Sequence, residues 1–107
     1  MKFNFKKKKL EIRRSVYKNN QMALIIIDPK TDEQKFTLTT SVTGYDFPKD
    51  QLAIATWGEN KALAEVVFNT GLFEDTGFRA TSEDNISIIE FWRFIVPKNI
   101  DLIPPIT

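Results

Sequence analysis

A chain of 107 residues has the length of one domain, and 42% hydrophobic residues with nine Phe, two Trp and two Tyr are enough to fill a core. It contains neither cysteine nor histidine, so disulfides, thiolate nucleophiles, Cys-containing zinc sites and the commonest general base near neutral pH are all excluded. What remains for chemistry is Asp, Glu, Lys, Tyr, Ser and Thr, which points to a non-enzymatic protein that folds without metal or cofactor.

The net charge of +1 hides an uneven distribution. Residues 1–18 hold eight cations against Glu11 alone, a local charge of +7, while residues 19–107 hold seven cations and thirteen carboxylates, a charge of −6. Such asymmetry marks an interaction arm or a lysine-rich solvated strand edge. No signal-peptide pattern follows Met1 and no apolar run is long enough to cross a bilayer, so a soluble cytoplasmic protein without a membrane partner is expected.

Along the chain, Leu10, Ile12 and Val16 alternate with Glu11, Arg13 and Ser15, the period of a half-buried strand, and Arg14 interrupts its apolar face. Asn19-Asn20 reads as a turn. Met22–Ile27 is a short, β-branched, more fully buried strand, and Asp28-Pro29-Lys30-Thr31-Asp32 is turn chemistry. A third strand alternates from Phe36 to Val42, so the first three strands form a meander. A loop over residues 44–50 leads to a short strand at Leu52–Trp57.

Asn60 is placed to cap a helix near residues 60–70, with Leu63, Val66 and Val67 as its apolar stripe and Ala62 beside them. Gly71 fits the left-handed residue after the helix, with Leu72 folding back. Thr76-Gly77 predicts a turn before a strand at Phe78–Thr81, and residues 82–85 a polar turn. Ile86–Val96 then has large apolar residues on both faces: Ile86, Ile88 and Trp92 on one, Ile89, Phe91 and Ile95 on the other. That is the pattern of a central strand. Residues 97–107 read as an extended tail within the single domain 1–107. The expected fold is α+β and mainly antiparallel, a curved sheet or small open barrel of about six strands with one packed helix.

No constellation announces an active site. Asp28, Asp32 and Glu33 surround a turn but lack the ligand spacing of a calcium loop. Glu74-Asp75 and Glu83-Asp84 are adjacent pairs, whose members point to opposite sides of an extended chain. Glycine-rich phosphate loops and nucleophile elbows are both absent from the sequence. Trp92 is expected in the core, with Trp57 left open.

The strongest functional signal is Lys6, Lys7, Lys8 and Lys9, followed by Arg13, Arg14, Tyr17 and Lys18. Lysine and arginine neutralise phosphates and release counterions, and aromatic faces stack on unpaired bases, so single-stranded RNA is the expected partner. The competing reading makes Phe3 and Phe5 core residues of an N-terminal strand and the lysines its wet ends.

The passage from the Leu38 strand through Gly71-Leu72-Phe73-Glu74-Asp75-Thr76-Gly77 to Ile89-Glu90-Phe91-Trp92-Arg93-Phe94 resembles small proteins of conjugative plasmids and transposons in low-GC Gram-positive bacteria. More loosely, the chain is similar to the PrgU-type regulators of pheromone-responsive plasmids. The resemblance implies a PUA-like fold, β-rich and typical of RNA-binding proteins, and a regulator that restrains production of surface adhesins. No site residue transfers with it. Two functions follow: an RNA-binding regulator using the basic N-terminal region, or a protein-binding inhibitor or adaptor using an acidic and aromatic surface around Asp46, Trp57 and Glu74.

Overall fold

A computed structural model describes residues 2–42, 47–48, 50–82 and 86–95. The tail expected over 97–107, the polar turn at 83–85, and Gly44 and Asp46 lie outside the described residues. The chain forms β1 (Lys2–Phe5), β2 (Lys8–Val16), β3 (Met22–Asp28), β4 (Glu33–Thr37), β5 (Gln51–Ala55), α1 (Asn60–Phe68), β6 (Phe73–Thr81) and β7 (Ile88–Phe94). All strand pairs are antiparallel, and the class is α+β.

The strands form two sheets, one of order β1-β2-β3-β4 and one of order β5-β7-β6. The mainly antiparallel α+β expectation is met, with two sheets in place of one curved sheet and no closure between them among the described strands. The third strand stops at Thr37, and the segment after it passes from one sheet to the other. The Leu38 N–H donates to Leu24 of β3, whereas the Ala55 N–H donates to Leu38 and the Thr40 N–H to Ala53 of β5. Thr39 secures the junction: its hydroxyl accepts the Leu24 N–H at 3.0 Å and lies 3.0 Å from the Tyr17 hydroxyl, which donates to the Thr39 carbonyl at 3.1 Å. The Gln21 side-chain amide clamps Val42 in the same way, donating to its carbonyl at 2.8 Å and accepting its N–H at 2.7 Å.

Period two then sorts the side chains. Leu10 and Ile12 of β2 share a face with Leu24 and Ile26 of β3, and this face meets Leu52, Ile54, Trp92 and Phe94 of the second sheet. Helix α1 lies over that core and buries Leu63, Ala64 and Val67. Ala62 is exposed and Val66 half-buried, so the stripe lies one position away from the one expected at 62–63 and 66–67. Asn60 is inside the helix instead of capping it; its side-chain amide donates to the Thr37 carbonyl at 3.2 Å. Gly71 has φ of +83° and Leu72 is buried behind it, as the sequence predicts.

Strand β7 is the centre of its sheet, and Trp92 is 2% exposed in contact with Phe68 and Phe73, ring centroids 5.0 and 5.6 Å away. Its other face packs Ile89 and Phe91 against Ala53, Val42 and Phe47. The strand is shorter than its apolar pattern: Ile86 and Ile95 lie outside it, 81% and 55% exposed, and Ile88 at its first position is 47% exposed. Thr76-Gly77 is a bulge inside one long strand and not a turn before a shorter one. Gly77 has φ of +86° there, and the register shifts between Asp75 and Arg79.

Candidate nucleic-acid interface

The lysine run is folded into a hairpin. Phe3 pairs with Leu10 and Phe5 with Lys8, leaving Lys6 and Lys7 as a two-residue loop. Both loop residues have positive φ, 49° and 66°, the backbone of a type I′ turn, whose twist matches that of the flanking strands. Asparagine and glycine are the residues that such a turn favours, so two lysines here hold charge at a conformational cost.

Alternation places the remaining lysines. Lys8 follows the face of Phe5 and Leu10, and Lys9 the opposite face with Glu11. All four are exposed. No carboxylate among the described residues lies within ion-pair distance of any of them. Lys6 instead sits 5.4 Å from the centroid of the Phe5 ring, a cation–π distance. Phe3 and Phe5 are half-buried against the core, with Phe5 edge-on to Phe36 at 6.3 Å. Core packing and a charged hairpin end therefore coexist.

The other sequence-selected residues are not brought to this end. Arg13 is on the Glu11 face, ion-paired with Glu11 and 3.9 Å from Asp32. Arg14 is half-buried opposite Leu24. Tyr17 and Lys18 lie past the far end of β2, a nine-residue strand roughly 26–30 Å long. The Tyr17 hydroxyl is committed to Thr39, and burial pushes its pKa up, the Thr39 hydrogen bond opposing. The arm read as continuous in sequence is thus a compact cationic hairpin, with Lys18 at the opposite end of the sheet.

A concavity of about 340 Å³ opens between α1 and the second sheet, lined by Lys61, Glu65, Phe68, Asp75, Glu90 and Trp92. Two of its three carboxylates, Asp75 and Glu90, are engaged. Asp75 accepts two hydrogen bonds from Arg79 at 2.8 and 2.6 Å, which hold its carboxyl below its ordinary pKa, and Glu90 accepts the Trp92 indole N–H at 3.1 Å. Glu74 projects from the other face and pairs with Arg93 at 3.0 Å. Trp57, 37% exposed, lies past the opposite end of β5, where the Thr56 hydroxyl donates to the Ile88 carbonyl. Glu74 and Trp57 therefore do not form one surface, and Asp46 is outside the described residues. Sequence reasoning missed the apolar end made by Trp57, Ile86 and Ile88, because its isoleucines have the same alternation as buried ones.

No protein-family model, curated protein or solved structure matches this chain. Among the described residues, no helix is long and apolar enough to cross a membrane.

Proposed function

We propose that the protein is a small, non-enzymatic, cytoplasmic regulator that binds RNA through the β1–β2 hairpin. The observation that carries this reading is the set of four exposed lysines, Lys6–Lys9, without carboxylate partners among the described residues, two of them in left-handed backbone. Arg13, Lys35, Arg79 and Arg93 have carboxylates within ion-pair distance; Lys2, Lys18, Lys30 and Lys61 have none among the described residues, but only Lys6–Lys9 are consecutive. A cation left unpaired keeps its full attraction for phosphate, and clustering multiplies counterion release. The likeness to PrgU-type, PUA-like regulators of mobile elements points to the same ligand class.

The tip allows folding and binding to be moved in opposite directions. Changing Lys6→Asn and Lys7→Gly together supplies the residues a type I′ turn prefers, and should raise stability by about 1 kcal/mol. The same change removes two of the four cations, so affinity for labelled RNA should fall while the melting temperature rises. A variant that is more stable and binds RNA as tightly as wild type contradicts the reading.

A protein partner is the second reading, favoured by the exposure of Ile86, Ile88 and Trp57 at one end of the second sheet and of Phe78, 67% exposed, on its edge strand. Salt distinguishes the two: apolar contacts persist at ionic strengths that release a polycation from phosphate.

A further inference from the structure

We infer that the hairpin end is built to sit in a groove of a nucleic-acid duplex, touching the phosphates of both backbones, and not to hold the bases of a single strand. This inference rests on the reading of Lys6–Lys9 as a phosphate-binding site and departs from the single-stranded partner expected from sequence. Three observations carry it.

First, the hairpin presents no free aromatic platform. Binding a single strand without sequence preference relies on stacking, worth about 1–3 kcal/mol per base. Phe3 and Phe5 are packed against the core, and the Phe5 ring already has Phe36 at its edge and the Lys6 ammonium 5.4 Å from its centroid. Tyr17 is at the far end of β2, its hydroxyl bonded to Thr39. The exposed aromatics are Trp57, in the segment after β5, and Phe78 in β6 of the second sheet. Among the described residues, no aromatic ring beside the lysines is fully exposed.

Second, the cations surround the ribbon instead of lining one side. Lys8 and Lys9 project from opposite faces of β2, with Lys6 and Lys7 across the tip between them. A lone strand offers one backbone and would leave half of this charge unused. A duplex groove offers a backbone on each wall, about 6–12 Å apart in B-form DNA, and its major groove admits a two-stranded ribbon. Third, the loop is only two residues long, which keeps the tip as narrow as the ribbon itself. Contacts of this kind read backbone geometry and not sequence.

The test is fluorescence anisotropy with three labelled probes carrying equal numbers of phosphates: a short RNA duplex, a DNA duplex and an unstructured single-stranded RNA. At low salt the better duplex should bind roughly fivefold or more tightly than the single strand, and its salt slope should be steeper. The ranking of the RNA and DNA duplexes identifies the source of the backbone. Lys8→Gln and Lys9→Gln, one from each face, should each lower the duplex slope by about one. If the single strand binds as tightly as either duplex, or if only one of the two variants matters, the groove inference is overturned while RNA binding stands. If no probe binds, both fall and the protein-partner reading takes their place.

Discussion

Trp92→Ala is expected to destabilise the domain by about 3–5 kcal/mol, the usual cost of emptying a large aromatic from a core. Trp92 is 2% exposed and joins three elements: its own strand, Phe68 of α1 and Phe73 of β6. The rings of Phe68 and Phe73 would lose their aromatic partner, and Glu90 the indole donor at 3.1 Å. For a domain near this size, each kcal/mol moves the midpoint by roughly 4–8 °C, so a fall well beyond 10 °C is expected in thermal melting. Trp92→Phe retains most of the packing and should fall much less. A Trp92→Ala melt within two or three degrees of wild type would show that this residue does not join helix to sheet.

The larger functional effect is expected when Lys6, Lys7, Lys8 and Lys9 are all replaced by glutamine. Exposed substitutions usually change stability by no more than about 0.5 kcal/mol, so the fold should survive. Binding should not. Four phosphate contacts give a slope of roughly 2.8–3.6 in log affinity against log salt, depending on the form of the nucleic acid. Wild type should therefore lose roughly 50- to 150-fold in affinity between 50 and 200 mM salt, and the fourfold variant less than about threefold. A wild-type salt dependence retained in the variant would place the contacts elsewhere, with Lys18 and Arg14 the next cations to replace.

Much of the fold is legible in the sequence because period two and period 3.6 report burial directly. The alternation at Leu10 and Ile12, the run at Met22–Ile27 and the helix near 60–70 all correspond to observed elements. What stayed hidden has particular causes. The β1–β2 turn lacks the Asn-Gly signature of its backbone type, so Lys6–Lys9 read as one charged run instead of a loop between strands. Gly77 supports a positive φ in a turn or in a bulge, and the sequence does not distinguish them. Ile86 and Ile88 alternate like core residues, yet Ile86 precedes β7 and Ile88 is its first residue, outside the part of the strand that joins the core clusters.

The candidate site was legible in part for the same reason. Lys6–Lys9 are adjacent in sequence and remain adjacent in space. Arg13, Arg14, Tyr17 and Lys18 are distributed by strand alternation and by the length of β2 to two faces and a distant end. Sequence proximity overstated the patch because an extended strand moves roughly 3.3 Å with every residue. A basic segment in a helix would have been more compact.

Phosphate binding at the hairpin end is open to direct observation by following backbone amide resonances while a short RNA duplex is added at low salt. Shifts are expected to concentrate at Asn4–Leu10 and fade along β2, with the amides around Lys18, Trp57 and Ile88 unmoved. Shifts centred on Trp57, Ile86 and Ile88, or on the Lys18 turn, or no shift at saturating duplex, would contradict it.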